Sequence, residues 1–214
     1  TLALGLTAYL AAPAAWAQGG VVAMLEEALE LLPVERLRCY ATSAMTRWTE
    51  MTPEALTPLR DALDQRHVPL PVVQHGFSLQ LADDPGAPTL GVRYTEVDPE
   101  RADRAAVVEF TLPEDADPGV LFQLAMILSR VGELYSLTAG YALRWNPRWR
   151  REAFNHFHAW SRRFVGVDAG DPEELAWRAP TKLPSVNWLT LVGRGLAAAN
   201  DLDLVSLVTR AWTH

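Results

Sequence analysis

Apolar positions recur along the chain with two periods, and the switches between them mark the elements. Leu2 to Leu10 is an almost unbroken apolar run, which predicts a buried strand leading into a helix. The same uncharged run, followed by Ala15-Trp16-Ala17, also has the small-x-small ending of a secretory signal, although no basic leader precedes it. Val21, Val22, Met24, Leu25, Ala28, Leu29, Leu31 and Leu32 then fall at three-and-four spacing around Glu26, Glu27 and Glu30, predicting an amphipathic helix that Pro33 ends. Arg36 to Thr46 reads as a strand. Thr52-Pro53 has the chemistry of a helix start, with apolar positions along one side as far as His67.

Three alternating runs follow, Gly76 to Ala82, Gly91 to Val97 and Ala105 to Leu112, separated by turns at Asp84-Pro85-Gly86 and Asp98-Pro99-Glu100. They predict an antiparallel meander. Asp117-Pro118 opens a helix over Gly119 to Val131 whose apolar residues lie nearly all round, which predicts the most buried helix of the molecule. Ser136 to Trp145 alternates as a strand, and a polar helix is expected over Trp149 to Phe164. An arm from Arg163 to Gly193, broken by Gly170, Pro172, Pro180 and Pro184, leads into a strand at Val186 to Val192. A short helix at Arg194 to Asn200 and an apolar run at Leu202 to Trp212 close the chain. The order predicts an α+β fold: a single domain over 1–214, with a mixed, largely antiparallel β-sheet packed with several α-helices.

At 214 residues and 49% apolar composition, the chain can bury about 70% of the surface its unfolded form exposes. The net charge of −7 argues against a general nucleic-acid binder or an anionic-membrane binder, and toward a basic partner. No apolar stretch reaches the length of a membrane span before Pro13, Gln18, Gly19 and Gly20 interrupt it. The charge is concentrated. Ten acidic residues between Asp83 and Asp117, among them Glu96, Asp98, Glu100, Asp103, Asp115 and Asp117, stand against Arg93, Arg101 and Arg104, and together they account for the whole net charge. Such a patch either keeps the surface solvated or steers a basic protein to it.

Catalytic spacing is harder to find. His156 and His158 point to opposite sides of their predicted helix, and His75 with Asp83 and Asp84 has no known ligand spacing. None of Ser43, Ser78, Ser129, Ser136 and Ser206 sits in a Gly-x-Ser-x-Gly elbow, and Gly193-Arg194-Gly195 lacks the third glycine of a dinucleotide fingerprint. The lone Cys39 excludes an intrachain disulfide and reads as a small buried residue. The expectation is no catalytic residue, no metal and no cofactor. An enzyme whose residues converge only in space stays open, with His75, Cys39 or acidic pairs as its groups. So does a single-stranded nucleic-acid groove built from the arginines and rings of Leu143 to Phe164.

Three ordered elements carry a resemblance: Gly140-Tyr141-Ala142, then Arg163-Phe164-Val165-Gly166-Val167-Asp168, then Val186-Asn187-Trp188-Leu189-Thr190 with Leu191 and Gly193. In this order they resemble the type VI secretion immunity family, with Val165 where the family usually has Pro. The resemblance implies a bacterial self-protection protein, without catalysis, that binds a toxin and occludes its active or substrate-binding surface; some such toxins cleave DNA. Gly140, Tyr141, Arg163, Gly166, Asp168, Asn187 and Trp188 are then expected to be structural, with Asn187 and Trp188 at the end of a buried strand. Specificity is expected in the acidic residues. Protection against a nuclease points to the cytoplasm, and to the periplasm instead if the N-terminal run is a signal.

Overall fold

The computed structural model describes residues 2–11, 20–42, 47–52, 78–95, 104–130, 134–143, 167–168, 172–184 and 186–203. The apolar run at the start of the chain is β1 (Leu2–Ala11), and it lies in the middle of the sheet, antiparallel to β6 (Ala105–Leu112) on one side and β7 (Leu134–Leu143) on the other. This position explains its composition. A strand with neighbours on both edges and cover on both faces has almost no position where a charge could reach water. The reading of this run as a buried strand holds.

The remaining strands extend from this centre. β2 (Cys39–Thr42), β3 (Thr49–Glu50), β4 (Ser78–Ala82) and β5 (Gly91–Thr95) continue one wing in the order β3-β2-β4-β5-β6. β4, β5 and β6 form the predicted antiparallel meander. On the other wing the outer edge of β7 is shared. β9 (Leu189–Val192) pairs antiparallel with Ser136 to Ala139, and β8 (Val167–Asp168) pairs parallel with Tyr141 and Ala142. The nine strands among the described residues make one mixed, largely antiparallel sheet, and with its helices the fold is α+β.

Strand alternation divides the sheet into two faces. Leu4, Leu6, Ala8 and Leu10 of β1 share a face with Val108 and Phe110 of β6 and with Leu137 and Ala139 of β7. Two helices cover it. α1 (Gly20–Glu30) contributes Met24, Leu25, Ala28 and Leu29, and α2 (Pro118–Ser129) contributes Leu121, Leu124, Ala125, Ile127 and Leu128. The opposite face is more polar and carries a smaller cluster, in which Tyr9, Ala105 and Val107 pack on Ala176 and Ala179, just after the short α3 (Pro172–Leu175). α4 (Arg194–Ala199) follows β9.

Several boundaries differ from expectation for local reasons. Helix α1 ends at Glu30, and Val34–Arg36 forms a 3-10 turn, so the strand expected from Arg36 begins only at Cys39. The strand expected from Val186 starts at Leu189. The amides of Asn187 and Trp188 are bonded to the side-chain oxygens of Thr190 and Asn187, which withdraws them from the ladder. The helix expected to be most buried, α2, exposes Phe122 and Met126. Being apolar all round placed it on the sheet without ensuring cover for its outer side. The helices expected at 52–67 and 149–164 and most of the closing run lie outside the described residues.

Candidate functional site

Two regions hold the residues singled out by the sequence. The first is the outer edge of β7. Gly140 has φ 156°, a backbone that L-residues rarely adopt, and a Cβ added there would fall on Asn187 Oδ1 and on the indole of Trp188. Only glycine lets the 187–188 segment come this close. Asn187 is buried and ties the crossing: its Nδ2 donates to the Tyr141 carbonyl at 3.3 Å, and its Oδ1 accepts from the Trp188 amide at 2.8 Å. Thr190 Oγ1 closes the turn by donating to the Asn187 carbonyl at 2.9 Å. Gly193 repeats the device at the far end of β9, where a Cβ would overlap the Leu134 carbonyl and the Gly193 amide donates to the Tyr135 carbonyl at 2.8 Å.

The structure therefore brings Gly140, Tyr141, Asn187 and Trp188 together, with Asp168 joining through the backbone pairing of β8 beside Ala142. Arg163 and Gly166 lie outside the described residues. One expectation is corrected. Trp188 does not end a buried strand; it precedes β9 and is 54% exposed, its ring lying over the bare backbone of Gly140 with the remainder open to solvent. Asn187 alone is buried, because the amide must reach the β7 carbonyl whereas the ring needs only a flat surface to lie on.

The second region is the acidic stretch, which the fold divides among several tasks. Glu109 is buried within the sheet on the polar face, where it is the cross-strand neighbour of Arg93, 3.8 Å away. Gln80, Arg93, Glu109, Thr7, Thr138 and Thr190 are successive register partners, so a polar row crosses six strands. Asp83 and Asp84 build the turn between β4 and β5. Asp83 Oδ1 accepts the amides of Asp84 and Thr89, its Oδ2 accepts the Thr89 hydroxyl, and Asp84 Oδ1 accepts the Gly86 amide. Asp117 caps α2 by accepting from the Gly119 amide at 2.9 Å. Glu114 and Asp115 are exposed in the turn before that cap. Glu96, Asp98, Glu100 and Asp103 lie outside the described residues.

Local electrostatics follow from these contacts. Burial acts to raise the Asp83 pKa, but the Thr89 hydroxyl and the amides of Leu90, Thr89 and Asp84 outweigh it and hold the carboxyl below its ordinary value. Cys39 is buried, its thiol donating to the Ala82 carbonyl at 3.2 Å, and burial followed by the charges of Asp84 and Asp83 pushes its pKa up. A thiol so placed is a poor nucleophile. His75, His156 and His158 lie outside the described residues. Sequence reasoning missed the Arg93–Glu109 pair, although both stand on the same face of alternating neighbours in the meander. It also missed the stacking of Arg104 over Trp177, which links two segments distant in sequence.

This α+β sheet with its helices has a fold similar to that of a solved type VI secretion system protein of Pseudomonas aeruginosa, PA0821. The TM-score is 0.73 at 20% identity, and the match covers 98% of this chain and 60% of that one. The likeness is one of fold. The family profile described as type VI immunity for VRR-NUC matches residues 24–199, and the chain belongs to that family. No curated protein matches the chain significantly.

The clamp predicts a hierarchy of stability losses in urea melts. Gly140→Ala should cost about 2–4 kcal/mol, since it adds both steric overlap and backbone strain. Trp188→Ala should cost only about 1–2 kcal/mol, against about 3–5 for a buried ring. A larger loss from Trp188→Ala than from Gly140→Ala would contradict the geometry. The Asp83 turn makes a separate prediction. Because the folded pKa is depressed, its contribution is complete above the ordinary carboxylate value and disappears as pH falls through the folded pKa. The melting-temperature gap between wild type and Asp83→Asn should be widest near neutrality and shrink below about pH 4.

Proposed function

We propose that this protein neutralises a VRR-NUC nuclease effector of a type VI secretion system by binding it and covering its active or substrate-binding surface. The observation that carries this reading is the family match over residues 24–199. The chain acts by occupancy, without catalysis and without binding nucleic acid itself, and it works in the cytoplasm, where the nuclease meets DNA. Among the described residues no helix is long and apolar enough to cross a membrane.

Charge supports the same reading. A nuclease holds a polyanion, so its substrate surface is basic. An inhibitor with net charge −7, its acids gathered at Glu96, Asp98, Glu100, Asp103, Asp115 and Asp117, offers that surface a competing field. In this proposal these six form the partner-binding rim.

Co-expression of the effector and this protein in a sensitive bacterium is the direct test. Survival and a co-purifying complex are expected; death at the rate seen without this protein, and no complex, would dismiss the proposal. Reversing Glu96, Asp98, Glu100 and Asp103 to Lys should slow association by about tenfold or more at low salt while leaving the melt unchanged. An unaltered rate would remove these four from the rim.

A further inference from the structure

A helix lying on a sheet normally buries one stripe and presents a polar one to water. Helix α2 departs from this. Leu121, Leu124, Ala125 and Leu128 are buried in the core, yet the outer stripe carries Phe122 at 56% exposure and Met126 at 42%. They stand one turn apart, so ring and thioether form one continuous patch. Gln123, exposed beside them, shows the kind of side chain that solvent alone would select there.

The surroundings of the patch carry one dominant sign. Glu114, Asp115 and Asp117 are exposed where the chain enters α2, Glu27 and Glu30 are exposed on the neighbouring α1, and Glu35 is exposed on the turn after it. Arg130, at the end of α2, is paired with Glu27 at 3.4 Å. Where the segment after α1 meets the end of β6 and the entry to α2, an open cleft of about 310 Å³ is lined by Leu32, Pro33, Leu112 and Val120, with Arg36 and Asp115 also on its wall. An apolar centre with a charged margin is the anatomy of a protein interface.

We infer that this face of the helical layer, centred on Phe122 and Met126, is where the nuclease effector docks, a basic surface of the partner lying against the acidic margin. The inference rests on the reading of the chain as an immunity protein against such a nuclease. Phe122 supplies a rigid aromatic anchor and Met126 an adaptable one, while the carboxylates steer the encounter. A second copy of this chain is a poor occupant. A two-fold interface would bring one acidic margin against its own image, a repulsive arrangement.

The test uses the full chain and a catalytically inactive form of the VRR-NUC effector encoded with it. Phe122→Gln with Met126→Gln should weaken the complex by about 30-fold or more, with the change mainly in koff, and leave the melt intact. Glu114→Gln with Asp115→Asn should instead slow association and flatten its salt dependence. A photoreactive phenylalanine analogue at position 122 should crosslink to the effector, and this decides the matter if the glutamine variant fails to fold. Wild-type-like binding by the folded double variant, or a complex that forms without a crosslink from position 122, overturns the inference and leaves the immunity reading standing. A double variant that loses only self-association overturns it too. If the wild-type chain itself forms no complex, both readings fall.

Discussion

The constraint on which the rest of the molecule depends is that β1 must be enclosed. Leu2 to Ala11 has no charge with which to face water, and its backbone groups need partners on both edges. Those partners are β6 (Ala105–Leu112) and β7 (Leu134–Leu143), both far along the chain from β1. Every other strand then takes its place by its distance from β1, and α1 and α2 lie on the face that Leu4, Leu6, Ala8 and Leu10 make apolar. Because the central pairings are long-range, the folded state cannot be assembled from local pieces alone, and folding is expected to be slow for a chain of this size.

The same constraint explains the polar face. Once Leu6 points into the main core, Thr7 must point the other way, where it meets Glu109 and Thr138 in register. Burying a carboxylate requires a counter-charge, and Arg93 on the adjacent strand provides it. A residue that belongs to the acidic excess by simple counting is thus internally balanced. Among the described residues of that stretch, Asp84, Glu114, Asp115 and Asp117 are the exposed acids, and they stand in turns and at the entry to α2.

Much of this was legible in the sequence, wherever local pattern decides structure. β6 runs over the residues its alternation predicted, the meander β4-β5-β6 is in place, and Asp117 caps α2 as its chemistry implies. What the pattern could not convey was adjacency. Nothing in Leu2–Ala11 says that it lies between β6 and β7, and nothing in Phe122 or Met126 says that they lie exposed on the outer side of α2. Trp188 was misread because aromatic bulk beside a β-prone run suggests burial. The glycine that seats it lies nearly fifty residues upstream, where one-dimensional periodicity sees only a break in a strand.

The division of the β7 edge has a consequence for how any protein can approach this one. Strand addition, in which a partner extends a sheet through main-chain hydrogen bonds, requires a long open edge. Here that edge is occupied twice, by β9 running one way and by β8 running the other, and at the opposite end β3 is only two residues long. Among the described residues no edge strand exceeds four residues. A backbone offered to it would find few amides and carbonyls in line. Among the described residues, side chains rather than main-chain edges are what the sheet offers a neighbouring protein, and side chains can change without altering the sheet.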